Sequence, residues 1–475
     1  MNNNITYIMD RLPNELVERI VEGLPSTDIA NLRLTNRHLS ECCAHLLYPR
    51  LWLSSHPLDV EVFRRAIRNP LVCKGVRELI WDDTTYCDSL ISRERYMETV
   101  DQVTSYSYVC PEDYTPEQKE SGYQYFRKRA TLHHHTRRKR IDEKLLWKAL
   151  PSLRNLKSVV LTRRHHINSV PADEDEITNS PAARQIRKQY SIGAEQFYPT
   201  VNWYGACYPT TRKSVSELRR IDYHCDPLRD TEDPEENDVH VRRPFRGLII
   251  LLRAITGNAI RVESLVIRLQ YESGLGKDNS SVGISHWFFR YVSTDFDNMV
   301  TIFKRLRKLH LVLGSDADDF EKRSARETMK VGLLTFALGV APRLEELYLE
   351  LPEMPTMEVL SLESWFPALK SLDLVNGYVD PVMLLKFLKK HRNSLKRLHL
   401  SYCVSEQVSW TELFRWIRAD SIFIDSISGS HLSDLIEPGC FHVTSQQEID
   451  SYMRHGEGFP LRWSSHRSGT PPPRF

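Results

Sequence analysis

The chain lacks the features that would place it at once in several large classes of protein. Its opening, MNNNITYIMD, has no basic stretch followed by an apolar run, so a secretory leader is not expected. No stretch approaches the roughly eighteen uninterrupted apolar residues that a spanning helix needs, so a membrane partner is not expected either. Charge of one sign is missing too. The 64 Lys+Arg stand against 62 Asp+Glu, which gives no global attraction to nucleic acid or to an anionic surface. Cysteine is sparse and irregular: nine residues, an odd number, scatter from Cys42 to Cys440. That pattern suits buried thiols in a reducing compartment better than a disulfide framework, so cytoplasm or nucleus is the expected location.

Local signatures of chemistry are equally scarce. Neither Cys-x-x-Cys nor His-Glu-x-x-His occurs, and His133, His134 and His135, being adjacent, do not converge on one ion. They read as a surface run. Gly274-Leu275-Gly276-Lys277 lacks the glycine spacing and the following Ser/Thr of a phosphate loop, and reads as a turn. Asp316, Asp318 and Glu327 fit three positions of a calcium loop, but Phe320 and Glu321 stand where a ligand and a glycine are needed. No Gly-x-Ser-x-Gly elbow presents a nucleophile. No cofactor, no metal and no catalytic residue is expected.

What is present starts near the N-terminus. At 475 residues the chain exceeds what one core usually supports, so more than one structural unit is expected. Residues 10–53 read DRLPNELVERIVEGLPSTDIANLRLTNRHLSECCAHLLYPRLWL. Pro13 suits the first position of a helix, where its missing N–H costs nothing. Leu12, Leu16, Ile20 and Leu24 recur at steps of four and form one apolar stripe, and Gly23 and Pro25 end that helix. Ser26 or Thr27 can cap a second helix, with Ile29, Leu32 and Leu34 facing inward; Thr35 can cap a third carrying Leu39, Cys43, Leu46 and Leu47. Three short helices hold little core of their own. Apolar surface at Leu12, Pro13 and Leu16 is therefore expected to want a partner, although periodicity equally allows an ordinary subdomain packed on the rest of the chain.

The run Leu12-Pro13-x-Glu15-Leu16-x-x-x-Ile20-x-x-x-Leu24, then Asp28-Ile29-x-x-Leu32-Arg33-Leu34 and Asn36-Arg37-His38-Leu39, resembles an F-box, in particular that of filamentous-fungal F-box proteins. The resemblance covers about a tenth of the chain. It implies binding to a Skp-type adaptor, and through it to a cullin and its RING subunit. Leu12, Pro13, Leu16, Ile20, Leu32 and Leu34 then become the adaptor-facing or module-core residues.

Beyond residue 55 a hexad recurs, apolar at positions one, four and six. It appears as Val76-x-x-Leu79-x-Trp81, Leu156-x-x-Val159-x-Leu161, Leu218-x-x-Ile221-x-Tyr223 and Val262-x-x-Leu265-x-Ile267. Clearer copies start at Leu306, Leu344, Leu369 and Leu395, the last three at the period of a leucine-rich repeat. Positions four and six point to one side of a strand, and the first leucine enters the preceding turn. Helical stretches at 331–342 and 381–394 lie between hexads, so stacked strand–helix units with a parallel sheet are expected. Spacing among the early copies is far from regular, and the Asn that usually follows is mostly absent; only Cys403 stands at its position. The fold class expected is mixed α/β and α+β: a three-helix F-box at 10–53, an irregular leucine-rich-repeat-like solenoid at 56–425, and a C-terminal extension at 426–475 with a disordered tail. Residues 163–200 and 225–244, polar and rich in Pro and acid, read as loop insertions.

One strongly charged run remains. Residues 127–140 (RKRATLHHHTRRKR) contain no acid and follow a good helix start at Thr115-Pro116-Glu117. The favoured reading is the solvated face of a long helix ending near Leu150; a nuclear-localisation patch, or an interface for an acidic partner or RNA, is the alternative, without the aromatic alternation that base stacking needs. The function expected is that of a non-catalytic receptor of an SCF-type cullin-RING ubiquitin ligase, with a target bound by the repeat body. An adaptor-bound scaffold without a ligase role is the rival, and nucleic-acid binding through 127–140 stands behind it.

Overall fold

The structure, a computed structural model, describes residues 12–83, 91–97 (except 95), 115–162, 246–268, 284–314, 319–351, 354–360, 365–405, 408–434 and 439–464 (except 457 and 459). The readings at 163–200, 218–223, 225–244, 274–277, Asp316, Asp318 and the C-terminal tail lie outside those residues. Two compact units divide the chain, at 1–262 and 263–475, so a boundary falls inside the stretch read as one body.

In the first unit, α1 (Asn14–Glu22), α2 (Ser26–Arg33) and α3 (Arg37–Cys43) surround a small core of Val17, Val21, Ile29, Leu39, Cys42 and Cys43. Leu12, Leu24, Leu32, Leu46 and Leu47 pack partly buried against it. Val17 and Val21 form the inner row of α1, a row that sequence reading did not single out, while Leu16 stays at the surface as expected. Two details differ from expectation. Pro25 holds the N-cap position of α2, so the helix starts one residue earlier than a Ser26 or Thr27 cap would set it. Asn36, not Thr35, caps α3: its Oδ1 accepts the Leu39 N–H at 2.8 Å, while the Thr35 hydroxyl donates back to the Leu32 carbonyl at 2.7 Å and finishes α2. A hydroxyl one residue too early finds the end of the preceding helix closer than the start of its own.

The chain then alternates strands and helices: β1 (Arg50–Ser54), α4 (Pro57–Ile67), α5 (Pro70–Gly75), β2 (Glu78–Asp82), α6 (Pro116–Arg138), α7 (Ile141–Ala149), β3 (Ser158–Thr162) and α8 (Arg246–Gly257). Helices α4 and α5 start alike. His56 and Asn69 side chains each accept the N–H two residues on, and Pro57 and Pro70 take the first helical position. Strands β1, β2 and β3 are parallel, with Leu51, Leu79 and Val159 in one register row and Leu53, Trp81 and Leu161 in another. The 115–150 helix is not continuous. Arg140 takes a left-handed backbone (φ 52°) and separates α6 from α7.

The second unit runs β4 (Ser264–Arg268), β5 (Ile284–Ser285), α9 (Thr294–Phe303), β6 (Lys308–Gly314), α10 (Asp319–Val331), α11 (Leu333–Gly339), β7 (Glu346–Glu350), α12 (Thr356–Val359), β8 (Ser371–Val375), α13 (Pro381–His391), β9 (Arg397–Ser401), β10 (Val404–Ser405), α14 (Trp410–Ala419) and β11 (Ser426–Ser430). Strands β4, β6, β7, β8, β9 and β11 form a parallel ladder in that order. Hexad position four gives the row Leu265, Leu309, Leu347, Leu372, Leu398 and Ile427, all but sealed from water. The four steps from β4 to β9 open the same way: the carbonyl at hexad position two accepts two N–H groups of the next repeat, as Arg307 O does from Glu345 and Glu346. Leu306, Leu344, Leu369 and Leu395 fill the turns before their strands and are buried.

Two boundaries shift. The helix expected over 331–342 is broken at Gly332, which is left-handed, so α11 starts at Leu333. The ladder also runs past residue 425, because β11 pairs with β9. Its position-six residue is Gly429, where a Cβ would stand 2.2 Å from the Leu400 carbonyl oxygen. The hexad is unreadable there because the residue must be missing a side chain. A second sheet of β10, β12 (Leu432–Asp434), β13 (Gly439–Val443) and β14 (Leu461–Ser464) follows, with α15 (Gln446–His455) started by a Ser445/Glu448 capping box.

Candidate functional site

Helix α1 carries two apolar rows one residue apart. Val17 and Val21 go into the core, and Leu16 (45% exposed) and Ile20 (47%) stay at the surface beside exposed Pro13. Both rows have i, i+4 spacing, so local sequence does not say which one turns inward; α2 and α3 decide it by covering the valines. Leu34, expected inside, is 77% exposed where α2 ends. Of the six residues singled out, Pro13, Leu16, Ile20 and Leu34 are exposed, while Leu12 and Leu32 are partly buried. Covering an aliphatic side chain of this size is worth about 1.5–3 kcal/mol, so three of them left in water make a surface with much to gain from a partner.

A second candidate is the outward face of the second unit's sheet. Hexad position five lines up Val266, His310, Tyr348, Asp373, His399 and Ser428 across six strands. His310 and Tyr348 rings stack 3.7 Å apart. The Tyr348 hydroxyl donates to Glu350 at 3.0 Å, and Asn376 donates to the other Glu350 oxygen at 2.8 Å. Burial raises the pKa of the Asp373 carboxyl, opposed by the positive charge of His399 and Arg397. His399 Nδ1 lies 2.9 Å from Ser428 Oγ. Ser428, His399 and Asp373 are thus in register on adjacent strands. Tyr402, left-handed after β9, stacks on His431, left-handed after β11. The face offers rings and acceptors for holding a surface. Behind it, Cys403 is sealed, and burial pushes its thiol up to about 12.

The cluster that sequence reading missed lies inside the first unit. Arg137 and Arg246 meet Asp83 and Asp142, all four nearly fully buried. Arg246 forks onto Asp142 with two bonds of 2.9 Å, Arg137 reaches Asp83 at 2.8 Å, and Ser55 donates to Asp142 at 2.9 Å. Burial, the largest single influence, would raise the Asp142 carboxyl, but Arg246, Arg137 and the Glu143 N–H together hold the group below the ordinary carboxylate value. Burial also lowers Arg137, partly offset by Asp83. These partners are 54 to 163 residues apart in the chain, so no local spacing announces them.

The basic run therefore divides. Arg127, Lys128, Arg138, Lys139 and Arg140 are exposed, as a solvated face requires, whereas Arg137 is internal. His133 is buried against His56 (ring centroids 6.1 Å), which corrects the surface reading for that member of the histidine run; His135 is exposed. Among the described residues no group of three or more His, Cys, Asp or Glu could hold a metal, and no helix is long and apolar enough to cross a membrane.

Comparison with known families places an F-box domain at residues 9–50. No curated protein matches the chain. The F-box match spans α1 to α3 and ends where β1 begins. Such a domain is typical of the receptor subunits that bind a Skp-type adaptor in cullin-RING ligases, and it supports reading this chain as an F-box protein.

Proposed function

We propose that this protein is a substrate receptor of an SCF-type ubiquitin ligase. Its F-box, of the filamentous-fungal type, holds the Skp-type adaptor, and the strand–helix body, an irregular leucine-rich-repeat-like array of the kind that commonly accompanies an F-box, holds a target. The observation that carries the reading is the F-box match at 9–50 together with the uncovered row Leu16 and Ile20 and the exposed Leu34. The mechanism is proximity. A charged conjugating enzyme held by the ligase meets target lysines at high effective concentration, so this chain contributes no catalytic group. The ring-and-carboxylate face of β6 to β9 is where the target is held, and cytoplasm or nucleus is where the complex acts.

The test is co-expression of the tagged chain with the adaptor, comparing wild type with Leu16→Ala/Ile20→Ala. Co-purification by the wild type and its loss in a folded double variant is the expected result. A wild-type chain that retains no adaptor would reduce the box to a structural subdomain and remove this function.

A further inference from the structure

Helix α6 sorts its residues into two faces. Tyr123, Ala130, His133 and Arg137 follow one another at helical spacing and are buried, so one line of the helix is fixed inward. Arg137 fastens that line to Asp83 at 2.8 Å, and the Tyr123 hydroxyl fastens it to the Ile91 carbonyl at 2.8 Å. The other line carries Arg127, Lys128, Leu132, His135, Arg138 and Lys139, all exposed and without an acid among them. From Arg127 to Lys139 it covers about 18 Å of helix. Other exposed cations of this unit have an acid of their own chain: Arg64 and Arg65 use Glu61, Arg93 uses Glu120, and Arg140 uses Glu143. Among the described residues, Arg127, Lys128 and Lys139 have none. Offsetting the negative end of the helix accounts for cations in the last turn, but not for Arg127 and Lys128 about three turns earlier.

We propose that this stripe is a docking surface for a short acidic protein segment with an aliphatic residue between two groups of carboxylates. The cations supply the charge complement, and Leu132, 41% exposed among them, supplies the apolar contact at the centre. The helix is already held by its buried line, so binding orders little beyond the side chains themselves. The length of the partner follows from the ends of the stripe. Glu117 and Glu120 precede it on the same face at helical spacing, and beyond Lys139 the left-handed Arg140 turns the chain and pairs with Glu143. A long phosphate backbone would continue past the cations into these carboxylates; a short acidic segment stops before them. Burial of Arg137 also interrupts the Arg137-Arg138-Lys139-Arg140 run, so the run is not offered as one continuous basic segment. None of these residues belongs to the adaptor row or to the strand face, so the site goes beyond the ligase reading and is tested apart from it.

The experiment is fluorescence anisotropy with the full-length chain titrated into labelled probes. The acidic probe is Glu-Glu-Asp-Leu-Asp-Glu-Glu, which reaches about 23 Å when extended. Its neutral counterpart is Gln-Gln-Asn-Leu-Asn-Gln-Gln, and a single-stranded RNA of about twenty nucleotides stands for the long polyanion. The acidic peptide should bind and the neutral one should not, with affinity falling as salt rises from about 50 to about 500 mM. One exposed ion pair is worth up to about fivefold in affinity, so Arg127→Glu/Lys128→Glu should weaken the acidic peptide by about tenfold or more. Lys139→Glu, at the other end, should weaken it by about fivefold and serves as the independent probe where the double variant does not fold. Leu132→Ser should weaken binding without changing its salt dependence. A wild-type chain that does not bind the acidic peptide would overturn the proposal, as would binding that both charge reversals leave unchanged. RNA held more tightly than the peptide, and released by the same reversals, would assign the stripe to nucleic acid and overturn it as well.

Discussion

The box and the strand body use regularly spaced aliphatic residues for opposite ends. In α1, Leu16 and Ile20 recur at four and remain in water; in β6 to β9, the leucines of hexad positions four and six are almost completely enclosed. The difference lies in what surrounds each element. A strand inside a parallel ladder has a neighbour on both sides and helices behind it, so its apolar row is covered by the same chain. A short helix in a three-helix module is covered on one side only, and its second apolar row stays open for another molecule. Apolar periodicity identifies an element; it does not say who covers it.

Four substitutions or conditions sharpen that contrast. Leu372→Ala, in the middle of the ladder and fully buried, should cost about 2–5 kcal/mol of stability in denaturant unfolding, because the lost transfer energy is joined by a cavity. Leu16→Ala/Ile20→Ala should shift the same unfolding curve by no more than about 0.5 kcal/mol. Measured by titration calorimetry, it should weaken adaptor binding by about 2 kcal/mol or more. A comparable loss of folding stability in both variants would erase the distinction between the regions. Helix caps should ignore it. Asn36→Ala in the box and Asp380→Ala in the body each remove a side-chain acceptor from a first turn, and each should cost about 1 kcal/mol by thermal unfolding.

The smallest effect is a pH dependence confined to the body. His391 is enclosed by Trp365, Phe366 and Phe387, accepts the Phe366 N–H on Nε2 at 3.2 Å and faces the Phe387 carbonyl with Nδ1 at 2.9 Å. One ring nitrogen must accept and the other donate, which is the neutral imidazole. Burial accordingly holds its pKa below the ordinary 6.5. The unfolded chain then binds the proton more readily, so this contribution is complete above 6.5 and is lost as pH falls from there through the lower folded-state value. Unfolding curves between pH 7 and 5 should show a loss in wild type that His391→Phe reduces. Equal pH slopes in the two proteins would mean that His391 does not titrate in that window.

Much of the ladder was legible because a strand's period is short and its requirement local. All seven hexads within the described residues fall on strands, since two leucines two apart can only share a face. One strand hidden from that reading, β11, shows the limit. Gly429 breaks the pattern because the neighbouring Leu400 carbonyl leaves no room for a side chain, a fact of the partner strand and not of the segment itself. The box was legible as a motif, and so was open apolar surface at Leu16; the inner row of Val17 and Val21 was not, because both rows recur at four and the packing of α2 and α3 selects the valines.

By itself, then, the sequence determined which segments become helices and strands wherever a residue's own backbone preference or a two- or four-residue repeat sufficed: Pro57 and Pro70 opening helices, Leu309 and Leu311 sharing a strand face. The tertiary structure alone decided how distant groups meet. Arg137 belongs to a run that looks solvated, and it is charged at any ordinary pH. It can be buried only because Asp83, 54 residues away, and Arg246 with its own partner Asp142 arrive at the same point. A buried charge is tolerated only when its counter-charge is supplied in three dimensions, and no local pattern encodes where that counter-charge comes from.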